Sequence, residues 1–168
     1  MSRGVAVSLG LAGRNLLLVR RMPSVFIPSL VMPLFILIAT SGAFRGIAAL
    51  FGGVSYLAFT IPLALTMGAG FAGINSGMTL ARDLEGGFFA RLQSSPVPRL
   101  SLICGPLLAA MARSAFTTTV VLVAGLIGGV SLPGLGGTLL LYGISMGFSA
   151  VASCWAIGVA LRLSLIHI

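Results

Sequence analysis

Apolar and polar positions divide the chain into four long hydrophobic stretches, near 23–43, 54–75, 105–128 and 138–161. Each is long enough to cross a hydrocarbon core as a helix, which takes about 20 residues. The polar opening is too charged to span but has a helical period. At about 100° per residue Arg3, Gly10, Arg14 and Arg21 share one face, with Val5, Leu9, Ala12, Leu16 and Val19 roughly opposite. This predicts an interfacial helix over 1–22 lying on the inner leaflet. Leu17 and Leu18 fall on its polar side, so an ordinary basic flank is the plainer alternative. A secretory signal is a further one, because "RRMP" precedes an apolar run and "SGAF" offers small residues for cleavage. The length of that run and the three spans behind it favour a retained anchor.

Composition turns that pattern into a solvent. The chain is 58% hydrophobic and 7% charged, with mean hydropathy +1.15, whereas a soluble domain carries roughly a quarter charged residues. All ten basic residues are arginine, consistent with a GC-rich bacterial coding sequence, and the net charge is +8. Arg3, Arg14, Arg20, Arg21, Arg82, Arg91, Arg99 and Arg162 all fall on one side of the four spans, and only Arg45 lies opposite. Positive loops stay cytoplasmic, so both ends are expected inside a bacterial cytoplasmic membrane. The arginines sit at the ends of apolar runs and not on one face, which argues against a nucleic-acid partner.

Asp83 and Glu85 are the only acidic residues in the chain, two positions apart in the loop 76–104, within "TLARDLEGGFFARLQSSPVPRL". Holding Arg82, Asp83, Glu85, Arg91 and Arg99 in the bilayer would cost about 3 kcal/mol each, against about 0.5 gained per leucine. The loop therefore lies in water. Gly86 and Gly87 can break the helix leaving the second span. Leu84, Phe88 and Leu92 form an apolar stripe at i, i+4, i+8, and Pro96 and Pro98 close that short helix before the third span. An apolar stripe flanked by charges suits a partner-docking segment. Loop charges that merely hold the segment in water, with the phenylalanines resting on the leaflet, are the simpler account.

Inside the spans the chemistry is sparse. Pro28 and Pro33 interrupt the first span, as a hinge on a substrate path or as a static kink, and Ser24 and Ser29 could satisfy the freed carbonyls. Glycine-rich "GAGFAGINSG" and "GLIGG" predict close helix packing. Arg113 is the one charge within a span: it snorkels to the interface, marks a later start of the span, or serves a translocation path or a lipid phosphate. Cys104 and Cys154 read as small buried hydrophobes. With no lysine there is no P-loop, and the spans offer no histidine or carboxylate for an enzyme site, so neither catalysis nor a metal or cofactor is expected in this chain. The terminal "LSLIHI", with His167, is what a transposon-end sequencing adapter encodes. Residues 163–168 are therefore expected to be adapter, with the natural sequence continuing differently after Leu161 or Arg162.

Taken together, "RRMPSVFIPSLVMPLF", "YLAFTIPLAL" and above all "ARDLEGGFFARLQSSPVPRLSLICGPLLA" resemble the membrane subunit of type-2 ABC exporters, over essentially all of 1–162. The chain departs in having Pro62-Leu63 where that family usually has Pro-Gly, and four spans where it usually has six. The resemblance implies an all-α polytopic membrane bundle with a basic interfacial helix, truncated from six spans. It also implies a permease homodimer or heterodimer, and a separate cytoplasmic ATPase carrying ATP and Mg. The coupling segment would comprise Asp83, Glu85, Gly86, Phe88, Arg91, Leu92, Pro96 and Arg99, with Pro33 and Arg113 on the translocation path. The substrate would be hydrophobic or amphipathic. The alternative classes are a membrane scaffold that never meets an ATPase, and a membrane enzyme.

Overall fold

A computed structural model describes residues 3–21, 23–43, 56–87, 99–131 and 133–166, and side chains within 4–17, 27–43, 56–87, 101–131 and 133–162. Five helices account for nearly all of them: α1 (Arg3–Arg21), α2 (Pro23–Ala43), α3 (Tyr56–Glu85), α4 (Arg99–Ile127) and α5 (Gly134–Ile166). No strand occurs among the described residues. The all-α expectation therefore holds. Three helices are long and apolar enough to cross a membrane: α3, α4 from Ser101, and α5 as far as Arg162. The first expected span is helical throughout, but the part with described side chains, Ile27–Ala43, is a shorter apolar helix.

The central element is α3, against which α2, α4 and α5 all pack, while α1 packs along α4. Contacts fix the directions. Leu37 of α2 meets Ile61 and Leu65 of α3 in one buried cluster with Val121 and Leu122 of α4. Gly73 lies against Ser149 and Ala152, and Gly77 against Ala156. Rising numbers on α3 thus meet rising numbers on α5, and the two run parallel. Small residues on both sides let the backbones approach: at Gly73 an added Cβ would lie 2.6 Å from the Ala152 Cβ and 2.9 Å from the Ser149 carbonyl oxygen.

Burial is inverted relative to a soluble bundle. The interior holds Ser76, Ser114, Thr117, Thr118, Ser145, Ser149 and Ser153 beside alanines and a few leucines. The outside carries Phe35, Ile38, Phe59, Leu139, Val151 and Trp155. In water such a surface would be an association hazard; against lipid it is the expected one.

Helix α5, Gly134–Ile166, outruns the expected 138–161 at both ends, and the larger differences flank the loop 76–104. Helix α3 continues through Asn75-Ser76-Gly77 to Glu85, ten residues beyond the expected end of its span. The small polar residues do not stop it because their hydroxyls bond back to the helix, Ser76 to the Gly73 carbonyl (2.6 Å) and Thr79 to the Asn75 carbonyl (2.8 Å). It stops at the expected glycines. Gly86 and Gly87 donate to the carbonyls of Arg82 and Leu84, and Gly87 takes φ 66°, which only glycine adopts freely. Helix α4 begins at Arg99, directly after Pro98 and earlier than expected.

The face of α1 also differs. Ser8, Ala12 and Asn15 are buried, and Val5, Leu9, Leu16 and Leu17 are exposed. Ala12 belongs with the small polar strip that fits against α4, so the apolar face turns away from the bundle.

Gly73→Ala should cost about 1–3 kcal/mol, because the new methyl has no space, while Gly147→Ala, with nothing within 4 Å of its Cβ, should be neutral or slightly stabilising. Thermal unfolding midpoints in detergent check the contrast; equal midpoints would refute the close α3–α5 approach.

Candidate functional site

The last turns of α3 form one candidate site. Leu80 packs with Leu102 of α4 and Ile157 of α5 in a second apolar cluster, which Leu11 of α1, Leu84, Ile103 and Leu161 extend. This cluster anchors the helix end. Beside it, Arg14 of α1 meets Asp83 in a two-bond fork: Nη1 donates to Oδ2 at 2.8 Å and Nη2 to Oδ1 at 2.7 Å. The side chains are 35% and 18% exposed. The hydrogen bond that it donates to Asp83 holds the pKa of the Arg14 guanidinium above its ordinary value, against the opposing effect of burial. A second tie binds α1 to the start of α4: the Ser8 hydroxyl lies 3.2 Å from the Ser101 carbonyl and 3.0 Å from that of Gly4.

Of the residues expected in the coupling segment, Asp83, Glu85 and Gly86 come together at this helix end. The Asp83 carboxylate is engaged within the chain, and Glu85 is exposed. Arg99 opens α4, with its side chain outside the described residues, and Phe88, Arg91, Leu92 and Pro96 lie outside them entirely. The sequence did not reveal Arg14 as the partner of Asp83, since it reads there as one of several basic residues flanking the first span.

The second candidate lies inside the bundle. Ser145, Ser149 and Ser153 recur every four residues on α5 and are all fully buried. Ser153 and Ser76 of α3 share a hydroxyl contact of 2.5 Å. Ser145 meets Ser114 at 2.8 Å and accepts from Thr118 at 2.9 Å. The Ser149 hydroxyl has no partner. This seam was legible in "SMGFSAVAS" as a period-four serine pattern, though hydropathy alone passes over it.

Pro33 is fully buried where α2 crosses Gly68 of α3. Arg113 is only 8% exposed. Its Nη2 donates to the Ala72 carbonyl at 3.3 Å, and its Nε is buried without a partner. The guanidinium is therefore held inside the protein and not extended to the interface. At the other end of the bundle an apolar cavity of about 340 Å³ is lined by Ala58, Ile61, Pro62, Leu122, Leu126 and Leu140, among others. Cys104 is half-buried and Cys154 exposed, so the expected burial fails for Cys154, which faces outward beside Trp155. Among the described residues no group of three metal-ligating side chains could hold an ion. No family model, curated protein or solved structure matches this chain.

Arg14→Ala and Asp83→Asn should each destabilise by about 1 kcal/mol, the scale of a half-exposed pair, and the double variant by little more than either alone. A double-mutant cycle in detergent measures this coupling; strict additivity would show that the fork contributes nothing.

Proposed function

We propose that this chain is the permease subunit of an ATP-driven exporter of the type-2 ABC class. It would move a hydrophobic or amphipathic substrate across a bacterial cytoplasmic membrane. The observation that carries this reading is the tip of α3. The helix has 30 residues, about 45 Å at 1.5 Å per residue, against roughly 30 Å of hydrocarbon. Its final turns, with Arg82, Asp83 and Glu85, therefore project beyond the core and end at a glycine-specific break.

A projecting tip becomes useful when force applied to it reaches the membrane helices. The apolar cluster around Leu80 and the Arg14–Asp83 fork join α3, α4, α5 and α1 at that end. A push from a docked ATPase would then move several helices together. In this reading Asp83 braces the tip from within. Contact with the ATPase falls to Glu85 and to the stretch that holds Phe88, Arg91, Leu92, Pro96 and Arg99. The ATPase carries ATP and Mg, and a second permease chain, identical or related, completes the pathway. The apolar cavity supplies a surface for the apolar part of such a substrate.

The proposed orientation places α2, α3, α4 and α5 across the membrane with the N-terminus cytoplasmic. Single cysteines at Ala48 and Ser131, in a background lacking Cys104 and Cys154, should react with an impermeant reagent outside intact cells, and one at Ser94 should not. Reaction at Ser94 would overturn the orientation.

Glu85→Arg should lower recovery of the co-purified ATPase about tenfold while leaving insertion intact, because like charges at an interface repel. Asp83→Arg should in addition lower the stability of the permease itself, by repelling Arg14. Normal ATPase recovery from Glu85→Arg combined with Asp83→Arg would refute docking and leave the scaffold reading.

A further inference from the structure

Within these 168 residues Arg113 is a charge without a counter-charge. A guanidinium stays protonated at any biological pH and presents five N–H donors. Here it is nine-tenths buried, with one bond of 3.3 Å to the Ala72 carbonyl and a buried Nε that has no partner. Buried charges are ordinarily paired, because desolvation is otherwise uncompensated. This chain holds two carboxylates. Asp83 is taken by Arg14 through both oxygens. Glu85 is exposed at the end of α3, thirteen residues past Ala72, which is about 20 Å along the helix. Neither carboxylate reaches Arg113.

We propose that Arg113 is the anion-binding residue of a site for amphiphiles that carry a phosphate headgroup. The chemistry follows from the donor set. Nε and a neighbouring Nη lie along one edge of the guanidinium, and such an edge accepts two oxygens of one tetrahedral oxyanion. The need for an apolar tail follows from position. Among the described residues, Met67, Ile74 and Met78, which flank Ala72 on α3, and Phe116, close to Arg113 on α4, are exposed and apolar, so an anion reaching Arg113 past them comes from hydrocarbon and not from bulk water. The inference rests on the assignment of α3 and α4 to the membrane. It deepens the exporter reading by naming a substrate class, but its test needs no ATPase.

The purified chain in neutral maltoside micelles is titrated with dodecyl phosphate, with inorganic phosphate, and with dodecyltrimethylammonium as a cationic control, followed by calorimetry and by the thermal midpoint. Dodecyl phosphate should bind saturably and raise the midpoint; inorganic phosphate should bind at least tenfold more weakly, and the cation should give no saturable signal. Arg113→Gln should abolish the binding, and Arg113→Lys, which keeps the charge but not the fork, should weaken it about tenfold. Arg162→Gln, at an exposed arginine, should bind as the parent does. Absence of saturable binding to the parent would overturn the proposal and favour a carboxylate from another polypeptide as the counter-charge. Unchanged affinity in Arg113→Gln would overturn it equally, and equal affinity for inorganic phosphate would overturn the amphiphile. Should Arg113→Gln fail to fold, Arg113→Lys decides: parental affinity there refutes the site. Because only this chain and a detergent-phase ligand are involved, failure of ATPase co-purification leaves the result standing.

Discussion

In the proposed membrane setting the packing follows from one constraint: with lipid as solvent, apolar surface gains nothing by leaving it. Helices must associate through close backbone approach and polar contacts instead. Gly73 and Gly77 facing Ala152 and Ala156 provide the first. The hydroxyl contacts of Ser76 with Ser153 and of Ser145 with Ser114 and Thr118 provide the second. Large side chains are correspondingly turned outward, Trp155 among them. The same constraint explains why few leucines reach the interior: those that do, such as Leu37, Leu65, Leu80 and Leu102, gather in two clusters. One of them lies around Leu80, near the C-terminal end of α3.

That end is organised differently. In the proposed orientation the helices leave hydrocarbon there, where water competes for hydrogen bonds and apolar burial again becomes favourable. Leu80, Leu102 and Ile157 bury together there, as residues of a soluble bundle would, and the charged fork between Arg14 and Asp83 sits at its margin. A half-exposed ion pair contributes little stability by itself. Its value lies in geometry, since two parallel hydrogen bonds fix the approach of α1 to α3 more narrowly than a single contact between flexible side chains does.

How much of this was legible depended on which force left a mark in the sequence. Hydropathy located α3, α4 and α5 because lipid demands long apolar runs, and Gly86-Gly87 and Pro98 marked boundaries because backbone geometry is local. The glycines marked where the helix leaving the second span ends, but what its turns from Asn75 to Glu85 pack against was not legible. Long-range pairing was invisible for a similar reason. Arg14 and Asp83 are 69 positions apart, and no local pattern distinguishes Arg14 from Arg20 or Arg21. The serine period on α5 was present in the sequence but unassigned, because the same pattern on an exposed face would carry no meaning.

The charge inventory extends the argument from structure to chemistry. Ten arginines meet two carboxylates, and one of those carboxylates is committed to a fork that ties α1 in place. Most of the remaining arginines flank apolar runs, where headgroups and water can solvate them. Arg113 has no such recourse: it is buried within α4 beside the backbone of α3. Among the described residues, a bundle interior of small polar side chains and two leucine-rich clusters thus also holds a guanidinium with no acid beside it. Asp83 and Glu85 are the only carboxylate side chains among these 168 residues, and neither lies beside it.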